Sequence, residues 1–180
     1  MKVTPLSIPE LLIFEPEKYT DERGYFFESF NQEIFEKAIK QKINFVQDNH
    51  SKSKKGVLRG LHYQVDPKAQ GKLVRVIQGE VFDVAVDLRE SSATFRSWVG
   101  EVLSADNAKQ IWIPKGFAHG FLTLSDTAEV LYKTTDFYST EHERAIRWDD
   151  EKVGVIWPTK NVSLSAKDLR AESFNEAEFF

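Results

Sequence analysis

The spacing of apolar residues along the chain changes once. Between Asn31 and Gln41, Ile34, Phe35, Ala38 and Ile39 recur on one helical face while Glu33, Glu36, Lys37 and Lys40 fall elsewhere, which predicts one short amphipathic helix. Asn31 stands where a cap belongs. Beyond Gly56 the period shortens toward two. Leu73–Ile77, Val81–Leu88, Trp98–Leu103, Gln110–Ile113, Gly120–Leu124, Ala128–Tyr132 and Ala145–Trp148 read as β-strands, being rich in β-branched and aromatic residues and bounded by turn formers. In the second of these, Phe82, Val84, Val86 and Leu88 alternate with Asp83, Ala85 and Asp87, so one face is packed and the other carries polar groups. Gln78-Gly79-Glu80 between two strong strands predicts a hairpin. Ser51–Lys55, with three lysines and two serines, reads as a turn or loop. Many short strands with almost no helix between them predict an antiparallel barrel or sandwich of jelly-roll type, with polar side chains at its mouth.

Composition narrows this picture. No repeat, linker or charge block divides the 180 residues, and a chain of this length makes one domain, taken as residues 1–180. Its 24 Lys and Arg against 28 Asp and Glu leave a net charge of -4, which argues against a nucleic-acid polymer as partner. With no cysteine, thiol catalysis, disulfides and Cys-based metal sites are excluded. Neither a signal peptide nor an apolar run of membrane-spanning length is visible, so a cytoplasmic protein free of the membrane is expected.

Candidate chemistry gathers in three places. Arg59 and His62 interrupt the apolar run Val57-Leu-Arg-Gly-Leu-His-Tyr63, where ionisable groups need a partner or a task. Three residues apart on a regular strand, they would point to opposite faces, unless Gly60 supplies a bulge. His119, in Ala118-His119-Gly120, taken alone reads as a packing histidine in a tight turn. Tyr132 and Tyr138 share strand parity, and alone each reads as a core tyrosine. A His-x-His metal pair is missing, since Gln64 stands two residues after His62, and no phosphate-binding glycine loop or Gly-x-Ser-x-Gly is present. Two classes survive: a metal-free acid–base enzyme, and a binding module for a sugar or other small molecule.

Six further strings sharpen the choice. Asp21–Glu28, Gln47–Ser51, Gly56–Gln64, Gly71–Arg75, Pro114–Phe121 and Ile146–Asp150, followed in order by Leu164–Asp168, closely resemble the dTDP-4-dehydrorhamnose 3,5-epimerase family over nearly the whole chain. The resemblance implies a cupin-type jelly roll with a short N-terminal helix and peripheral C-terminal segments. It implies a homodimer with exchanged N-terminal strands, no cofactor and no metal, and dTDP-4-dehydro-6-deoxy-D-glucose as substrate. By matching position, His62 is the base, Asp168 the carboxylate orienting it, Lys72 the cation facing an enolate oxygen, and Tyr132 the opposing acid. It also places Arg59, His119, Gln47 and Asn49 around the diphosphate and sugar, Tyr138 beside thymine and Lys167 as a further contact. Arg23, Phe26 and Glu28 would reach in from the partner subunit, and Asp83 would support His119 or the pocket floor. Single-centre epimerases share most of these residues, so one or two inverted carbons both remain open.

Overall fold

The computed structural model describes residues 1–180. Its elements are β1 (Lys2–Pro5), β2 (Leu12–Glu15), β3 (Tyr19–Asp21), β4 (Gly24–Phe26), α1 (Gln32–Ile39), β5 (Gln47–Lys54), β6 (Leu58–Gln64), β7 (Lys72–Gln78), β8 (Glu80–Asp87), β9 (Trp98–Ser104), β10 (Gln110–Ile113), β11 (Phe117–Thr123), β12 (Thr127–Thr134) and β13 (Glu143–Ala145). Two sheets face each other, one ordered β1-β2-β10-β7-β12-β5 and the other β13-β6-β11-β8-β9, while β3 and β4 form a separate hairpin. Every ladder is antiparallel. This is the expected cupin-type jelly roll.

Between the sheets lies a core that fills one end of the barrel. Ile13, Val74, Val76, Ile111, Ile113, Ala128 and Val130 from the larger sheet meet Val81, Ala85, Val99, Leu103, Phe117 and Phe121 from the smaller. Alternation along each strand then decides what lies toward the other end. Val74 and Val76 share a face with Lys72, and Ala128 and Val130 share one with Tyr132, so the strands that build the core also aim polar groups into the mouth.

Both faces of the smaller sheet are covered. Leu58, Leu61, Tyr63, Val84, Val86, Leu88, Ala118 and Leu122 pack on its outside against the chain after β13, through Ile146, Val153, Trp157 and Phe174. Hence Asp83 and Asp87, expected on a polar face, are buried inside the barrel. Asp87 is neutralised by Arg89, which donates to it from Nε and Nη2 at 2.8 Å each, and by the hydroxyls of Ser92 and Thr94 at 2.7 Å. On the outside of the larger sheet, α1 buries Phe35 against Phe14, Leu73 and Trp112, and Asn31 caps the helix by accepting from the Ile34 amide at 3.1 Å. Burial of an aromatic side chain this complete stabilises by about 1.5–3 kcal/mol.

Three local expectations are corrected. Gln78-Gly79-Glu80 makes no hairpin: both edges of β7 are taken by β10 and β12, and Gly79, at φ 73°, turns the chain from one sheet into the other. Ser51–Lys54 belongs to β5, whose lysines face solvent while Ser51 and Ser53 face inward. Ala145–Trp148 supplies only Ala145 to a strand, because β13 begins earlier, at Glu143.

Candidate active site

The site is built on a bulge in β6. His62 pairs with His119 of β11, and Arg59 pairs with Phe121, so β6 takes three steps where β11 takes two. The extra residue shifts the alternation. Leu58 before it and Leu61 after it both face the outer core, while Arg59 and His62 both line the same cavity. Gly60, at φ 135°, makes this possible: a Cβ there would stand 2.5 Å from the Cα of Gly120, so the two glycines press backbone against backbone. His119 consequently sits in the middle of a strand, not in the tight turn its neighbours suggested.

The cavity, about 290 Å³, takes its walls from both sheets: Arg59, His62 and His119 from one, Gln47, Asn49, Lys72 and Tyr132 from the other. Each histidine has its own carboxylate. His62 Nε2 lies 2.5 Å from Asp168 Oδ1, and His119 Nε2 lies 2.9 Å from Asp83 Oδ2. A proton on Nε2, donated to Asp168, would leave the lone pair of the His62 ring on Nδ1. Burial pushes the Asp168 carboxyl up, but hydrogen bonds from His62 and Ser165 outweigh it and hold the group below the ordinary carboxylate value. Asp83 is fully buried, and its Oδ1 has no hydrogen-bond partner.

Lys72 donates from Nζ to the His62 carbonyl at 3.3 Å. Burial pulls its ammonium down to about 8, against the opposing pull of the Asp83 and Glu143 charges. Burial also raises the Tyr132 phenol above its ordinary value, with Arg59 acting the other way, so this hydroxyl keeps its proton at neutral pH. Arg59 forms no ion pair. Its Nε donates to Ser53 Oγ at 3.0 Å and its Nη2 to the Lys52 carbonyl at 3.4 Å, so the guanidinium at the cavity wall is held by neutral acceptors and not by a carboxylate.

The rim is polar and crosslinked. Tyr138 lies in the loop after β12, not on the strand, yet lines the same cavity. Its hydroxyl donates to Glu143 Oε2 at 2.6 Å, and Glu143 Oε1 is ion-paired with Lys167. That loop is tied to the barrel by amide side chains: Gln47 Oε1 accepts from the Tyr138 amide at 3.0 Å, Gln64 Oε1 from the Ser139 amide at 2.8 Å, and Gln70 Nε2 donates to the Asp136 carbonyl at 2.7 Å. Gln47 therefore works partly as scaffold. Glu143, Gln64, Gln70 and Ser51 line the cavity and were not among the expected site residues. Glu143 is embedded in Glu141-His-Glu-Arg144, where no contrast between neighbours marks it, Ser51 and Gln70 sit in stretches whose polarity resembles a surface, and Gln64 stands at the polar end of the apolar run of β6, where a strand simply finishes.

Within one chain, Arg23, Phe26 and Glu28 stay away from this cavity. Arg23 forks onto Asp21, Phe26 is 71% exposed on the β3–β4 hairpin, and Glu28 accepts from Asn31 at the start of α1. His50 pairs with Glu129 on the solvent face and His142 with Ser139, in keeping with supporting roles.

A histidine backed by a carboxylate, a desolvated lysine and a protonated phenol converge from opposed walls of a cupin-type barrel, and this is the equipment of a class: enzymes that move protons by acid–base chemistry. Comparison with known proteins narrows the class. The family model described as dTDP-4-dehydrorhamnose 3,5-epimerase matches residues 5–176. The dTDP-4-dehydrorhamnose 3,5-epimerase of Shigella flexneri is 59% identical over all of this chain and 99% of its own, and that of Pseudomonas aeruginosa is 58% identical over 100% and 99%. A crystal structure of the dTDP-6-deoxy-D-glucose-3,5-epimerase of Legionella pneumophila, in complex with dTDP-4-keto-L-rhamnose, superposes with a TM-score of 0.94 at 50% identity, covering 98% of this chain and 94% of that one. A 3'-monoepimerase of Streptomyces bikiniensis, in complex with dTDP-quinovose, gives 0.89 at 32% identity, over 94% and 86%. The chain belongs to the dTDP-4-dehydrorhamnose 3,5-epimerase family and is an isomerase.

Proposed function

We propose that this epimerase converts dTDP-4-dehydro-6-deoxy-D-glucose to dTDP-4-dehydro-L-rhamnose with His62 as base, Tyr132 as acid, Lys72 as oxyanion partner and Asp168 as the carboxylate that orients His62. The observation that carries the assignment is the placement of base and acid on opposed sheets, His62 on β6 and Tyr132 on β12, facing one cavity. Inversion requires that opposition. A proton removed and returned on one face restores the starting centre.

The ketone at sugar carbon 4 acidifies the hydrogens on carbons 3 and 5. Nδ1 of His62 takes one of these protons, the C–H electron pair becomes the enolate double bond, and the carbonyl pair moves onto oxygen 4. Lys72 Nζ meets that charge in a site partly shielded from water, where such a contact is worth about 3–4 kcal/mol. The enolate collapses by taking the Tyr132 hydroxyl proton on the opposite face. The imidazolium then returns its extra proton to solvent and the phenolate regains one, which resets both groups for the second carbon.

Arg59 and His119 bind the diphosphate and sugar with Gln47 and Asn49, where guanidinium geometry suits phosphate oxygens. Tyr138 lies on the thymine side and Lys167 supports that rim through Glu143. Arg23, Phe26 and Glu28 act from a second subunit in a homodimer with exchanged N-terminal strands, which accounts for an exposed hairpin phenylalanine that serves no purpose in one chain. In this reading the enzyme works in the cytoplasm, free of the membrane, and needs no cofactor beyond the acid–base set named above.

Turnover in deuterated water tests the assignment. Deuterium at both carbons 3 and 5 of the product is expected. Label at one carbon alone would select a single-centre epimerase, and label at neither would overturn the mechanism.

A further inference from the structure

We propose that Ser165 is a positioning residue for the catalytic base, acting through Asp168 as the third member of a Ser165–Asp168–His62 relay. The inference rests on the reading of His62 as base. Asp168 begins the short 3-10 turn Asp168–Arg170, and its carboxylate is held at both oxygens. Oδ1 accepts from His62 Nε2, and Oδ2 accepts from the Ser165 hydroxyl at 2.7 Å. The contact is reciprocal, because the Asp168 amide donates back to Ser165 Oγ at 3.1 Å, and the Leu169 amide donates to the Ser165 carbonyl at 3.0 Å. The serine therefore fixes backbone and side chain of Asp168 together. A carboxylate can rotate about its last torsion, but one tied at both oxygens and at its own amide presents a single lone-pair direction to the imidazole.

Burial gives this second hydrogen bond its weight. Asp168 is only 4% exposed and the exposed Ser165 is what covers its Oδ2, so without the hydroxyl that charged oxygen exchanges a fixed donor for at most a loosely held water. The hydroxyl also sets how the charge is shared. A donor on Oδ2 draws negative charge away from Oδ1, and removing it concentrates charge on the oxygen that faces His62. The imidazolium is then held more tightly, and less free base is present at a given pH.

The ionisable groups around His62 are Asp168, Lys167 beside it, Arg59 on the same strand, Glu143 from β13, Lys72 from β7, Tyr132 from β12, Tyr138 from the loop after β12, and His119 from β11 with Asp83 behind it. Replacing Ser165 changes none of their charges, so any shift in the pH profile reports the hydrogen bond itself.

Steady-state kinetics of the full chain carrying Ser165→Ala, Ser165→Thr, Asp168→Asn or His62→Asn, each measured across pH, test the relay. For Ser165→Ala, kcat is expected to fall roughly tenfold, the loss of one hydrogen bond to a charged group. KM should stay within about twofold, because the serine does not line the cavity, and the acid limb of kcat/KM should move to higher pH. Ser165→Thr, which keeps the hydroxyl, should recover most of the rate. A parental kcat and acid limb in Ser165→Ala would overturn the proposal, as would a loss that Ser165→Thr fails to restore. Full turnover by His62→Asn would instead overturn the reading of the base, so the two failures are distinguishable.

Discussion

His62 and His119 stand directly opposite each other on the β6–β11 ladder, and each is backed by a buried aspartate from a different part of the chain, Asp168 for one and Asp83 for the other. Two histidine–carboxylate pairs in one cavity invite confusion over which removes the proton. Their settings differ. His62 has 29% of its side chain exposed toward the cavity, whereas His119 has 7% and adjoins the barrel core through Phe121.

Separate substitutions divide these roles. His62→Asn should lower kcat by about 10²–10⁴, the usual worth of a general base, while affinity for the dTDP product is retained. Asp83→Asn, which removes the support of His119 and also one of the charges that sustain the Lys72 ammonium, should raise KM more than it lowers kcat when both are measured well below pH 8. Calorimetric binding beside steady-state rates checks both, and a reversed pattern would move the base to His119.

Lys72 should set the alkaline limit. With its ammonium pulled by burial down to about 8, the rate should fall as pH rises through that value, because the enolate loses its cation. Lys72→Met should lower kcat about 10²–10³-fold and flatten that limb. Stability should move the other way. The folded group titrates below its ordinary 10.5, so between about 8 and 10.5 the unfolded chain binds the proton more tightly and this group makes stability rise with pH. Below that window burial of the charge opposes folding, so the Met variant should show a higher urea midpoint at pH 7.

Gly60→Ala tests the bulge. The added methyl would meet the Gly120 Cα at 2.5 Å and the His119 carbonyl at 3.0 Å, at a φ of 135° that alanine adopts poorly. A loss of about 1–3 kcal/mol is expected from strain and overpacking. Because the shift falls between Arg59 and His62, kcat should drop by about two orders of magnitude even where the variant is folded. Thermal unfolding and kinetics on one sample separate the effects. Parental activity in a destabilised protein would show that the bulge is not what aims His62.

Much of this was legible in the sequence because hydrophobic alternation survives wherever a strand has one packed face. α1 and the strands of the core were readable for that reason, and so was the need for a bulge, since Arg59 and His62 sit at an odd spacing. β5 escaped because Gln47–Lys54 contains no apolar residue: its inward face belongs to the cavity and its outward face to water, so both are polar. His119 looked like a turn residue because Gly120 serves the backbone of β6, a contact with no local signature. The carboxylate for His62 lies 106 residues away, beyond any periodicity argument, and its place came from motif resemblance. Glu143, Gln64 and Gln70 stayed hidden, and so did the scaffold part of Gln47, because these tasks involve a loop conformation that exists only after folding.

The carboxylate behind the base belongs to neither sheet. Asp168 comes from the chain that runs over the outside of the smaller sheet, held there by Ser163 bridging Val57 and by Trp157 and Phe174 against the outer core. The barrel's own ladders close without this strap, whereas the base is backed only once the strap has docked. Activity is thus a gauge of a docking event some distance along the chain, and mild denaturant that loosens the strap first should extinguish turnover while the barrel still holds nucleotide.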